Sequence, residues 1–181
     1  MKYLVVGDIH GSLNAAKKIE ALMRTKQYDA CLILGDILYH GPRNPILDDY
    51  NPKQVIEILN SFKSEIIAVR GNCDSEVDQM VLNFPILSSS NQFYLNNHKV
   101  LLMHGHLNDF EYRSILKQND IVITGHTHLY EACIIDGIYH FNAGSLSLPK
   151  NGNVATYAEL TFDSYKIKDY SDNTIKEIDI K

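Results

Sequence analysis

Apolar runs along this chain keep stopping at glycine. One run ends at Gly7-Asp8, a second at Gly35-Asp36 and a third, just beyond Arg70, at Gly71-Asn72. Short continuous apolar runs bounded by a turn residue are how strands buried on both faces read, so strands are predicted over 2–6, 30–34 and 65–69. Between the first two, Leu13, Ala16, Ile19, Ala21, Leu22 and Met23 form a broad helical face over 12–23, with Ser12 as the N-cap. Pro42 and Pro45 mark 39–51 as a loop. Val55, Ile56, Leu59 and Phe62 then predict a helix that Pro52 begins at its first turn.

The second half changes texture. Short strands at 93–95 and 100–103 flank Asn96-Asn97-His98 and predict a hairpin. A helix is predicted over 109–117 and a strand over 121–124. Runs at 131–135 and 138–141 pair across Asp136-Gly137, a strong tight-turn dipeptide. Strands at 154–160, 165–169 and 174–180 complete the chain. Helix–strand alternation followed by antiparallel strands implies two layers of sheet with helices outside. No repeat, low-complexity tract or linker interrupts the pattern, so 1–181 reads as one domain.

Composition narrows the function classes. A chain of 181 residues has room for one core-bearing domain. With a net charge of −5 it lacks the basic surface of a polyanion binder, so no stable nucleic-acid complex is expected. Cys31, Cys73 and Cys133 are odd in number and far apart, which excludes a disulfide framework or zinc ribbon and suits a reducing cytoplasm. No stretch has the roughly 18 apolar residues of a membrane span, and the opening run is too short for a signal peptide.

The chemistry gathers where strands stop. Asp8 and His10 lie two residues apart beyond the first strand; on an extended continuation both would face one ion. Asp36 and Asn72 repeat the motif of a strand closed by glycine and an oxygen-bearing side chain. Four of the eight histidines fall in two triplets, His104-Gly105-His106 and His126-Thr127-His128, each after a predicted strand. Either triplet alone is an ordinary surface feature, but together with three oxygen-bearing strand ends they point to metal. Carboxylate, amide and imidazole donors suit borderline divalent ions such as Mn²⁺, Zn²⁺ or Fe²⁺.

The series Gly-Asp-x-His, Gly-Asp, Gly-Asn-x-Asp, Gly-His-Thr-His and Asn-x-Gly-Ser resembles that of the calcineurin-like metallophosphoesterases. Arg70-Gly71-Asn72-Cys73-Asp74 and Phe141-Asn142-Ala143-Gly144-Ser145 are similar, more narrowly, to the small bacterial phosphodiesterases of the YfcE type. The resemblance implies an α/β (α+β) fold, a two-sheet β-sandwich core flanked by helices. It implies that Asp8, His10 and His128 hold one metal, that Asn72, His104 and His126 hold another, and that Asp36 bridges both. The ions would be manganese in the first instance, with zinc or nickel as alternatives, and a hydroxide they activate would attack phosphorus. A small phosphodiester substrate and a homo-oligomer, dimer or larger, go with that branch.

One position departs from the pattern. Cys73 stands where many members of the wider superfamily carry a histidine that assists the leaving group, and a thiol cannot reproduce an imidazolium. His106 or His40 could compensate, and Asp74 would orient position 73 or a neighbouring ligand. Asn142 and Ser145 read as a structural turn near the site; Arg43, in the loop after Asp36, reads as a surface residue first and a substrate contact second. Two other functions share the fold: a phosphomonoesterase or protein phosphatase with the same centre, and a non-catalytic Vps29-like binding scaffold. A scaffold has no use for a complete ligand set; here all seven positions carry competent donors.

Overall fold

Tyr3–Val6 is buried throughout, because the first strand, β1 (Lys2–Val6), has a packed layer on each side. Leu4 and Val6 join an apolar cluster with two helices, α1 (Leu13–Lys26) and α2 (Pro52–Ser61). Tyr3 and Val5 join a second cluster that lies between two sheets. Alternation along the strand therefore serves two cores, which is why the run shows no polar face. The computed structural model describes residues 1–107 and 114–181.

Two parallel neighbours extend β1: β2 (Ala30–Ile33) and then β3 (Ile66–Ala68). The second sheet follows in the chain as β4 (Ser90–Leu95), β5 (His98–Met103), β6 (Ile121–Thr124), β7 (Tyr130–Ile135) and β8 (Ile138–Ala143). Its order is β4-β5-β6-β8-β7, with β5, β6 and β8 parallel. The chain returns to the first sheet with β9 (Thr156–Thr161), β10 (Ser164–Asp169) and β11 (Thr174–Asp179), giving the order β11-β10-β9-β1-β2-β3. Each sheet thus has three parallel strands, and a third short helix, α3 (Glu76–Val81), follows β3.

Local chemistry explains most boundaries. The Ser12 side chain accepts the Ala15 N–H, and α1 runs three residues past the predicted end, to Lys26. Asn51 caps α2, with Pro52 at its first position. In the hairpin across Asp136-Gly137 both turn residues have positive φ, 52° and 77°, the twist that a two-residue connection needs.

One helix was not expected and one expectation is corrected. α3 has no apolar periodicity to announce it, since Val77, Met80 and Val81 are all exposed. Its signal was the Ser75/Asp78 capping box, in which each side chain bonds the other's backbone N–H. The helix predicted over 109–117 falls mainly on residues outside those described. Residues 114–117 form turn and irregular chain instead, because the buried Asp120 carboxylate takes the Lys117 N–H (2.9 Å) and the Lys99 N–H (3.0 Å), tying this stretch to β5.

Candidate metal centre

The carboxyl ends of β1, β2, β3, β5 and β6 carry all seven predicted ligands, and open α/β sheets build their sites at such ends. Hydrogen bonds draw the two sheets together there. The His104 ring donates from Nδ1 to Leu34 O (2.6 Å), and the His126 N–H donates to Asp8 Oδ2 (2.9 Å). The Nε2 atoms of His10 and His128 are 3.3 Å apart, and His128 Nε2 is 3.4 Å from Asp8 Oδ1. Asp36 Oδ2 lies 3.6 Å from His10 Nε2 and 3.5 Å from His104 Nε2, so it stands between two groups of donors. His104 Nε2 is 3.1 Å from Asn72 Oδ1, and the His104 and His126 rings are 5.1 Å apart.

Three of the imidazoles are held the way a metal ligand is held. His10, His104 and His128 each donate Nδ1–H to a main-chain carbonyl, of Tyr39, Leu34 and Leu148 respectively. Each Nε2 is left facing inward. Asp8 Oδ1 is buried and accepts no hydrogen bond from the described residues. A buried carboxylate oxygen surrounded by inward imidazole nitrogens is satisfied by a cation, and the donor set fits a divalent ion. Asp8, His10 and His128 form one compact ligand group, and Asp8, Asp36 and His104 another.

The backbone reaches this arrangement by a different route from the one the sequence suggested. Asp8 and His10 do not continue the strand: their φ values are 52° and 50°, and Asp36, His126 and His128 are also left-handed, at 55°, 67° and 59°. The cause is tertiary. Past the end of β1 the chain stays bonded to its neighbour, through Asp8 N–H to Gly35 O and His10 N–H to Asp36 O, and must curl to do so. Such conformations cost about 1–2 kcal/mol per residue and gather at functional sites.

Asp74 fixes the turn that carries Asp36 and Asn72. Its buried carboxylate accepts three backbone N–H groups: Asp36 at 2.8 Å, Ile37 at 2.8 Å and Gly71 at 2.7 Å. Gly71 is required beside it, because a Cβ there would collide with the Asp36 carboxylate and backbone nitrogen. The Cys73 N–H donates to Asp36 Oδ1 (2.8 Å), turning the other oxygen toward the imidazoles.

Burial and mutual charge split the proton affinities. Burial pushes Asp8 up to about 7, although His104 and the His126 N–H pull the other way. Burial would lower His104, but its hydrogen bond to Asp36 and the Asp36 and Asp8 charges outweigh this and raise it to about 9. Burial would likewise raise Asp36, yet His104, the Cys73 N–H and His10 hold it well below the ordinary carboxylate range. His128 is pushed down to about 4, mainly by burial, with the Lys150 charge adding to the effect.

Without a cation, His104 carries its proton up to about pH 9 and Asp8 up to about pH 7. An entering ion must displace both, so metal affinity is expected to climb as pH rises from about 6 to 9 and to level off above. Near pH 7 more than one proton per chain should be released. Calorimetric titration with Mn²⁺ in buffers of different ionisation enthalpy measures this, and heats independent of the buffer would refute it.

Other singled-out residues sort clearly. Ser145 donates to Asp8 O (2.9 Å), and Asn142 bonds Gly125 O (2.8 Å) and the Gly144 N–H, so both shape the loops that carry ligands. His106 lies 5.3 Å, ring to ring, from His104 and lines a cleft with Arg70, Leu87 and Leu107 on one side of Asn72. His40 stacks edge-on against Tyr39 and Tyr50. The half-buried Cys73 thiol accepts from Asn72 Nδ2 (3.2 Å) and is pushed up to about 12, chiefly by burial, so it stays neutral. Arg43, for which a substrate contact was the lesser expectation beside a surface position, is exposed and lines a pocket over the predicted ligands, together with Cys73 and Lys150. Lys150 follows a proline in a loop and carried no local signal.

Two mixed sheets with outer helices, converging on carboxylate, amide and imidazole donors at parallel strand ends, form the scaffold of a metallophosphoesterase. The chain belongs to the calcineurin-like phosphoesterase superfamily, whose domain matches residues 1–165. It is 45% identical to the phosphodiesterase YfcE of Escherichia coli K12 over 175 residues, 97% of this chain and 95% of that one. The solved structure of YfcE, a phosphoesterase from E. coli, matches with a TM-score of 0.96 at 43% identity over all of both chains. Vps29 of Entamoeba histolytica, solved with Zn²⁺, shares the fold with a TM-score of 0.67 at 24% identity.

Proposed function

We propose that this protein is a metal-dependent phosphodiesterase with a binuclear centre. The observation that supports the reading is the cluster of Asp8, His10, Asp36, His104 and His128 around an unsatisfied buried carboxylate oxygen, with Asn72 and His126 beside His104. Asp8, His10 and His128 would hold one divalent ion, Asn72, His104 and His126 a second, with Asp36 shared. Divalent ions there, manganese first, supply a water nucleophile at neutral pH and positive charge against the phosphoryl oxygens. The chain's own part is to fix these donors, through Asp74 and the carbonyls of Tyr39, Leu34 and Leu148, and to orient the ester. His106 takes a substrate-side role in this reading.

Two measurements test it. Elemental analysis after reconstitution with Mn²⁺ should approach two equivalents per chain, and an aryl phosphodiester should be hydrolysed faster than the matching monoester. A metal content near zero at saturation would reject the enzyme reading and favour a scaffold. Faster monoester hydrolysis would make the protein a phosphomonoesterase.

Position 73 sets a further expectation. A thiol pushed up to about 12 is a much weaker proton donor than an imidazolium, and a well-matched general acid is worth about 10²–10⁴-fold. Aryl diesters leave without that help, so the wild-type protein should favour good leaving groups. Cys73→His should flatten the dependence of rate on leaving-group pKa, chiefly by accelerating poor leaving groups. An unchanged slope at unchanged metal content would reduce Cys73 to packing.

A further inference from the structure

The pocket over the ligands has an outer wall as well as a floor. The buried Asp36 and His128 and the exposed Arg43 and Lys150 line it together, with Asn72 and His126, around a space of about 380 Å³. Both cations are exposed, and among the described residues neither is engaged in an ion pair. In a chain of net charge −5, two cations without ion pairs thus line the same pocket.

Their loops are anchored to the site. On one side of Lys150, Leu148 O accepts the His128 ring N–H at 2.7 Å; Lys150's own N–H reaches His128 O at 3.5 Å. The Lys150 backbone therefore sits in register with a predicted ligand. After burial, which dominates, the Lys150 charge is among the influences on Asp8, His126 and His128. Arg43 sits in a turn closed by the Asn44 N–H on Gly41 O (3.3 Å) and by Asn44 Nδ2 on His40 O (2.9 Å). A phosphate at the centre is met by the ligand cluster, so cations beyond it are free to meet a second anion.

Resting on the phosphodiesterase reading, we propose that Arg43 and Lys150 determine specificity by binding a second phosphate carried on one arm of the diester. The substrate class is then a phosphodiester with an additional phosphate, as in a phosphorylated nucleotide ester. Arg43 offers a planar fork that matches two phosphate oxygens, and Lys150 a compact point charge.

The test uses the Mn²⁺-loaded protein and a matched pair: the 4-nitrophenyl ester of thymidine 5′-phosphate, with and without a 3′-phosphate. The wild-type protein should prefer the 3′-phosphorylated ester by roughly tenfold in kcat/KM, expressed in KM, the size expected of charge-assisted hydrogen bonds at an exposed rim. In the double variant Arg43→Gln/Lys150→Gln the ratio should fall toward one, while Lys150→Arg alone should keep most of it. A calorimetric arm needs no turnover: thymidine 3′,5′-bisphosphate should bind more tightly than thymidine 5′-phosphate, and the double variant should lose the difference. A wild-type ratio near one, or an equal loss on both esters in the double variant, overturns the second-phosphate site and leaves the phosphodiesterase reading intact. Hydrolysis of neither ester overturns the phosphodiesterase reading, and the binding difference then decides the anion site separately.

Discussion

Asp36→Asn is expected to lower phosphodiester hydrolysis by at least about 10³-fold, equivalent to roughly 4 kcal/mol of transition-state stabilisation, while the protein stays folded. The variant preserves the local geometry: an amide oxygen can still accept the Cys73 N–H that Asp36 Oδ1 accepts at 2.8 Å. The loss falls on the other oxygen, which lies 3.6 Å from His10 Nε2 and 3.5 Å from His104 Nε2. An amide nitrogen there is a donor facing nitrogens that must themselves offer lone pairs, and the negative charge between the two groups is gone. Metal content, thermal unfolding and aryl diester hydrolysis measured on one preparation separate the effects. Activity within tenfold of wild type would remove Asp36 from the centre.

Asp74→Ala should have the largest effect on stability, about 3–5 kcal/mol. It deletes the acceptor of three backbone N–H groups, and a buried donor left without a partner costs about 1–3 kcal/mol. Water entering the space limits the sum. The damage also reaches function, because the three donors belong to Asp36, Ile37 and Gly71, the turns that carry two predicted ligands. Urea unfolding of the metal-free variant gives the stability change; a loss below 1 kcal/mol would show that the turns hold without Asp74. Asp74→Asn, which keeps one acceptor oxygen, should fall between.

Strand cores were legible because burial on both faces leaves an uninterrupted apolar run, and the glycine stops marked where each run gave way to ligands. The residue types at those stops picked out candidate donors, five of which the structure gathers into groups that could hold a metal ion. The path of the backbone through them was not, because a left-handed turn at Asp8 or His10 is imposed by bonds to residues 35 and 36, far away in sequence. α3 escaped for the opposite reason: it is a local structure, set by Ser75 and Asp78, with no apolar face for periodicity to detect. Asp74 was expected to orient position 73 or a neighbouring ligand, and its true partners are main-chain nitrogens that no side-chain pattern discloses. Lys150 reaches the pocket only because β8 and β9 belong to different sheets and their connection passes His128.

The five left-handed ligand positions set catalysis against persistence. At His126, where φ is 67°, glycine would adopt the same backbone without a Cβ penalty. The half-buried ring makes no side-chain hydrogen bond among the described residues, and its ring contacts are with His104 and His106. Relief of about 1–2 kcal/mol of strain exceeds the roughly 0.5–1 kcal/mol that glycine forfeits in chain entropy. A descendant of this chain freed from selection for hydrolysis would have strain to release at this position, whereas Asp8, Asp36, His10, His104 and His128 also carry hydrogen bonds that hold the sheets and loops. Backbone bonds to Gly35 and Asp36 keep the end of β1 bent whatever side chains stand there, so the bend would outlast the chemistry.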